Sequence, residues 1–196
     1  MARPREFDEA SVLRAARERF SCTGYAGTSM DGIAEATGLG KGSLYGAFGG
    51  KQGLFRLVFD EYCMAAVEQA RRDLGGPDDE AFARLATHVR AVAAATAADV
   101  ARRGCLLAKG TAELAEHDPV VAARSLQTYD ELEQILTADI EACQRHGDIA
   151  AEADPGALAV LLLAVMRGIE ALGKGGKGEA ALHTVAETAL AVLPRP

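Results

Sequence analysis

Thr28-Ser29-Met30-Asp31-Gly32-Ile33-Ala34-Glu35-Ala36-Thr37-Gly38-Leu39-Gly40-Lys41-Gly42-Ser43-Leu44-Tyr45-Gly46-Ala47-Phe48 is the stretch on which the reading of this chain turns. It opens with a hydroxyl followed three residues later by an acid, the form of a capping box, so a helix is expected from near Ser29 to Thr37. Gly38-Leu39-Gly40 then makes a turn, and Lys41 to Ala47 make a second short helix. Two helices crossing this closely need a small residue at the crossing, which Ala34 supplies. Four positions on they need a residue that tolerates positive φ, which Gly38 supplies. Met30, Ile33, Leu39, Leu44 and Phe48 are spaced to pin the pair together. The pattern is that of a helix-turn-helix, although an ordinary corner between two helices meets the same demands.

Outward from this stretch the chain reads as helix throughout. Ala, Leu, Glu and Arg dominate, β-branched and aromatic residues are sparse, and neither Trp nor Asn occurs, so the expected fold class is all-α with about nine helices. Upstream, Leu13, Ala16 and Phe20 mark a first helix from Asp8 to about Phe20, ended by Gly24. Downstream of Gly49-Gly50, a long fourth helix runs from Lys51 to about Leu74 with Phe55, Phe59, Tyr62 and Ala66 on one stripe. Gly75-Gly76-Pro77 is the strongest stop in the chain. Further helices are expected at about 79–100, 105–116, 119–146, 155–173 and 178–193, with Gly173 to Gly178 as a flexible loop. The implied division is a helix-turn-helix head at 1–50 and a larger helical body at 51–196.

Of the 196 residues 49% are hydrophobic, enough for a core without disulfides or metal. The net charge of −7 argues at first against nucleic acid. Its distribution does not. Residues 1–56 hold Arg3, Arg5, Arg14, Arg17, Arg19, Lys41, Lys51 and Arg56 against Glu6, Asp8, Glu9, Glu18, Asp31 and Glu35, which leaves that end at +2 and the remainder at −9. The N-terminus is polar and lacks a signal-peptide core. The longest uncharged apolar run, Pro155 to Met166, is shorter than a membrane span, so a soluble, cytoplasmic protein with no membrane partner is expected. Cys22, Cys63, Cys105 and Cys143 have no metal-ligand spacing and read as reduced thiols, with a redox-sensing role for one of them left open.

Other chemistry finds little support. His88, His117, His146 and His183 form no HExxH and share no face with acids at metal spacing; Glu113, Glu116 and His117 read as a solvated helix end. Gly38 to Ser43 lacks the leading glycine of a phosphate loop, having Glu35 there. No enzyme, metal or cofactor is therefore expected.

The segments Phe20-Ser21-Cys22-Thr23-Gly24-Tyr25-Ala26-Gly27-Thr28-Ser29-Met30-Asp31-Gly32-Ile33-Ala34, Gly38 to Phe48 and Lys51-Gln52-Gly53-Leu54-Phe55 resemble the TetR (tetracycline repressor) family closely over about the first 60 residues, and Arg103-Gly104-Cys105-Leu106-Leu107 resembles a family feature at the start of a sixth helix. The resemblance implies a dimeric, usually repressing regulator whose C-terminal body binds a small-molecule effector and thereby weakens its hold on double-stranded operator DNA. Gly46-Ala47 departs from the bulky residue and histidine of many members, which thins direct readout and keeps open a helical small-molecule-binding protein without DNA binding.

Chemistry assigns the candidates. The expected DNA contacts are Gly40, Lys41, Gly42, Ser43 and Tyr45 at the start of the third helix, where a recognition helix meets base edges. Thr28 and Ser29 join them at a helix N-terminus suited to phosphate, as does Lys51, whose charge opposes its own helix dipole unless an anion faces it; a solvated lysine is the plain alternative. A two-fold operator needs a dimer. Its expected surface is Leu158, Leu161, Leu162, Val165, Ile169 and Leu172 on one helix and Val185, Ala189 and Val192 on the last, unless both are simply core helices. The resemblance places the effector among the fourth to eighth helices, where Phe59, Tyr62, Cys63, Leu106, Thr111, Tyr129 and Met166 are the expected lining. Few charges fall on those faces, so a largely apolar effector is expected.

Overall fold

A computed structural model describes residues 8–196; Arg3, Arg5 and Glu6, counted in the charge of the head, lie outside the described residues. Nine α-helices and no strand occur among the described residues. The head holds α1 (Glu9–Gly27), α2 (Met30–Thr37) and α3 (Lys41–Phe48), and α4 (Lys51–Asp73) leads out of it. A 3-10 turn at Asp78–Glu80 precedes α5 (Ala81–Ala98), α6 (Leu106–Leu114), α7 (Pro119–His146), α8 (Pro155–Lys174) and α9 (Glu179–Ala191).

The start signals of the helices are local. The Asp8, Ser29, Asp118 and Asp154 side chains each accept a backbone N–H of the first turn, and Pro119 and Pro155 occupy first positions where no N–H is needed. The first helix continues past its expected end. Gly24 is non-helical at φ 76° and ψ 179°, but one further turn, Tyr25 to Gly27, follows it. The cap of α2 is Ser29, not Thr28. At the other end of the chain, the expected loop is shorter than its glycines suggest: Gly173 and Lys174 belong to α8, and Gly173 is buried where a methyl group would strike Thr96 of α5.

Phe20, Tyr25, Phe55 and Phe59 form the aromatic seam between head and body. The Phe20 ring meets Phe55 edge-on at 5.0 Å and Phe55 stacks on Phe59 at 5.4 Å. Because α6 crosses this seam at Gly110, a methyl group there would lie 2.5 Å from the Phe59 ring. In the body, α8 packs on α5, α7 and α9. At 20 residues it is long and apolar enough to cross a membrane by length and composition, although its uncharged run alone is too short, because the helix continues past Arg167 and Glu170. Here those two charges pair with each other at 3.1 Å.

Candidate nucleic-acid interface and effector cavity

The helix-turn-helix closes as its residues demand. Gly38 ends α2 at φ 68°, a left-handed conformation that glycine adopts without strain. Ile33 and Leu44 are fully buried, Met30 and Phe48 nearly so, and Ala34 and Leu39 pack partly buried against them. What remains outside is the N-terminal end of α3. Gly40, Lys41, Gly42 and Ser43 are all exposed, and Tyr45 is 54% exposed with its ring edge beside Gly50. No side chain caps α3, so its leading amides point outward beside the Lys41 ammonium and the Ser43 hydroxyl, a set of donors with a positive dipole end behind it. Asp31 of α2 pairs with Lys41 and holds the ammonium at this end of the helix.

The supporting residues divide. Ser29 is exposed; its oxygen accepts the Gly32 N–H at 3.1 Å, which leaves its hydroxyl proton for an anion. Thr28 is buried, and its hydroxyl donates to the Gly24 carbonyl at 2.7 Å, so it braces the junction of α1 and α2 and is not presented to solvent. Lys51 is half-buried. Its ammonium donates to the Thr28 carbonyl at 2.9 Å and lies 4.2 Å from the Tyr25 ring centroid, which offsets the unfavourable dipole of α4 without any outside anion. Two of its three protons remain for a phosphate.

Head and body are tied by charge as well as by aromatic packing. The Glu113 carboxylate on α6 accepts the Ala26 N–H at 2.8 Å. Buried Asp118, the cap of α7, accepts from Arg56 at 2.9 Å twice and from Gln52 at 2.9 Å. Burial alone would raise this carboxyl, but the bonds from Arg56, Gln52 and the Val121 amide outweigh it and hold it down at about 2. No sequence pattern pointed to this joint, since its partners lie more than 60 residues apart.

The seven residues expected around an effector do not share one site. A cavity of about 670 Å³ lies between α1, α4, α5, the α5–α6 loop and α8, and of the seven only Tyr62 lines it. Phe59, Cys63, Leu106 and Met166 are core side chains with 2% exposure or less. Thr111 hydrogen-bonds Ser125 at 2.9 Å, with Tyr129 half-buried nearby. Nor is the site free of charge. The Arg167 guanidinium donates to Cys105 Sγ at 2.9 Å and pairs with Glu170, and Tyr62 Oη lies 3.7 Å from the same sulfur. Burial pushes the Cys105 thiol, the Tyr62 hydroxyl and the Glu170 carboxyl all upward. Helical spacing cannot reveal such a cluster, because its members come from α4, α8 and the residue that caps α6. All four cysteines are free; three are buried, whereas Cys22 is only half-buried.

The expected dimer residues also split. Leu162, Ile169 and Ala189 are buried within the subunit, because consecutive apolar residues on α8 cannot all face one way. The outward stripe of α8 keeps the expected Leu161 and Leu172 and adds Val160, Ala164 and Ala171, with Gly168 half-buried among them. Of the remaining candidates, Leu158, Val165 and Val185 are half-buried, and Val192 is 63% exposed.

Comparison with known proteins agrees with this architecture. Residues 12–58 match the family model described as bacterial regulatory proteins, tetR family, and residues 81–189 match the tetracyclin repressor-like C-terminal domain. The chain is 27% identical over 192 residues to the HTH-type transcriptional repressor ComR of Escherichia coli K12, covering 98% of this chain and 91% of that protein. A solved structure of the TetR family transcriptional regulator CifR, a cysteine mutant complexed with 26-bp double-strand operator DNA, superposes with a TM-score of 0.82 at 29% identity, over 98% of this chain and all of that one. The reduced form of NemR from E. coli shares the fold at a TM-score of 0.81 and 15% identity, over 95% of this chain and 97% of that one. With an exposed recognition-helix terminus on a helix-turn-helix head and both family domains present, this chain belongs to the TetR family of DNA-binding transcriptional regulators.

Proposed function

We propose that this protein is a cytoplasmic homodimeric repressor, with a head at residues 1–50 that reads a two-fold-symmetric operator and a body at 51–196 whose small-molecule effector releases it. The observation that carries the reading is the exposed N-terminal end of α3, where Gly40, Lys41, Gly42, Ser43 and Tyr45 stand clear of a fully packed three-helix core. In the major groove, Lys41 donates to guanine or phosphate, the Tyr45 ring lies against a thymine methyl, and the two glycines let the backbone approach. Ser29 and Lys51 take flanking phosphates. Gly46 is exposed and carries no side chain, so few groups touch bases and the operator's shape shares in the readout.

Dimerisation is supported by the apolar stripe on α8, with Leu161 at 44% and Leu172 at 39% exposure, joined by exposed Val192 at the end of α9. Two such helices from each subunit make a four-helix bundle. The similarity to CifR, solved on operator DNA, supports the DNA-reading role of the head.

A gel shift tests the whole reading. Duplexes flanking the protein's own gene are titrated with wild type, Lys41→Ala and Tyr45→Ala. Specific retardation by wild type, weakened by either substitution, is expected; equal binding by all three removes α3 as the reading helix. No specific retardation of any flanking duplex would favour a small-molecule-binding protein that has lost DNA recognition.

A further inference from the structure

This inference rests on the reading of the body as an effector-binding domain and concerns what that domain accepts. We propose that the cavity between α1, α4, α5 and α8 binds an amphipathic organic anion, its acidic group held between Arg17 and Arg102 and its apolar part lying over Tyr62, Val92 and Ala95. The cavity has the volume of a small-ligand site, about 670 Å³. Its walls are lined on the α5 side by small residues, Ala91, Val92 and Ala95, which leave the space unfilled.

The charges around it decide the sign of the ligand. Every carboxylate on its lining is already engaged. Glu18 and Asp99 both bind Arg103, at 3.0 and 2.9 Å. Asp73 faces His88 at 3.0 Å, and Glu170 faces Arg167 at 3.1 Å. The other cations are engaged too: Arg14 with Asp8 and Ser11, and Lys174 with the Arg102 and Arg103 carbonyls. Among the described residues this leaves the guanidinium groups of Arg17 and Arg102 without an ion-pair partner on the lining.

Both line the cavity and are exposed to solvent. Arg17 lies 5.0 Å from the Tyr62 ring centroid, so its planar donor set is presented beside an aromatic floor. Arg102 holds a backbone φ of 48°, a conformation that side chains rarely adopt, and its guanidinium reaches across to Gly176 beyond α8. A guanidinium next to a low-dielectric wall favours planar or tetrahedral oxyanions: a carboxylate, sulfonate or phosphate. The two arginines also belong to different parts of the molecule, Arg17 to the head's first helix and Arg102 to the body. An anion shared between them therefore bears directly on how α1 sits against the body.

The test uses the full-length protein without DNA and two fluorescent probes of similar shape. 1-Anilinonaphthalene-8-sulfonate carries the acid; N-phenyl-1-naphthylamine lacks it. Wild type is expected to bind the sulfonate saturably, at one site per chain and at least tenfold more tightly than the neutral probe. Arg17→Gln/Arg102→Gln is expected to weaken the sulfonate about tenfold while the neutral probe changes less than twofold. Ala95→Phe, which fills the cavity, is expected to abolish both. Both arginines are exposed, so the double variant should melt like wild type. Sulfonate affinity unchanged in the double variant, or no saturable binding by wild type, overturns the proposal. Operator gel shifts run in parallel separate the outcomes, because lost anion selectivity with intact operator binding removes this assignment alone.

Discussion

The head and the body use polar groups in opposite directions. In the head no charged side chain is buried among the described residues, Ser21 and Thr28 being the buried polar ones, and the functional groups of α3 stand outside the core, Lys41 at 59% side-chain exposure and Tyr45 at 54%. In the body, charges are folded inward: the Asp139 side chain is fully buried against Arg84, and Arg167 with Glu170 sits beneath the cavity next to Cys105. Isolated buried charges are expensive, and unpaired atoms such as Arg167 Nε make them more so. A surface meant to meet DNA needs rigid support and free donors. A chamber meant to accept a ligand needs polar groups already dehydrated and held in place.

The largest effect that sharpens this contrast falls within one helix. Leu162→Ala removes a fully buried side chain of α8 and is expected to lower stability by about 2–5 kcal/mol in urea unfolding. The neighbouring Leu161→Glu lies on the exposed stripe, so it should leave the subunit folded but shift light scattering from dimer to monomer. Dimers of normal mass with Leu161→Glu would move the interface away from this face.

Next comes the tie between α7 and the start of α4, next to the head. Because Asp118 is held at about 2 against an ordinary value of 3.8, its contribution is complete above pH 4 and is lost as pH falls toward 2, a change of about 2 kcal/mol. Arg56→Met should therefore destabilise the protein by about 2–3 kcal/mol at pH 7 and have little effect at pH 2. Equal destabilisation at both pH values would assign the loss to packing and not to charge.

On the head, Lys41→Ala and Tyr45→Ala are each expected to weaken operator binding by about 1–3 kcal/mol with no change in melting temperature, since both side chains lie outside the core. A fall in melting temperature with either variant would break the division between surface chemistry and core. Smallest is Ser29→Ala, which removes the α2 cap and should cost about 1 kcal/mol of stability by thermal unfolding.

Legibility in the sequence follows the same division. The helix-turn-helix is specified by residues within about one turn of each other: the hydroxyl that caps α2, the glycine that ends it and the apolar positions between. Its all-helical class and the body's helix boundaries were readable for the same reason, through Asp118-Pro119, Asp154-Pro155 and Gly147. What stayed hidden depends on contacts distant in sequence. The internal partners of Lys51 could not be read along the chain, because the Thr28 carbonyl and the Tyr25 ring lie more than 20 residues before it, at the end of α1. The inward face of α8 was ambiguous because Leu161, Leu162 and Leu163 are chemically alike. The charged cluster at Cys105 was missed because Arg167 and Glu170, read along one helix, resemble a solvated pair.

One consequence of α4 concerns leverage. This helix runs unbroken for 23 residues from the edge of the head to the far side of the cavity, a rigid rod of about 35 Å. A swing of about 5° at its cavity end displaces the other end by about 3 Å, and two-fold symmetry in the proposed dimer doubles that to about 6 Å. Paired recognition helices must meet half-sites about 34 Å apart, so an angular change too small to disturb the packing of any single residue is enough to put them out of step with the groove.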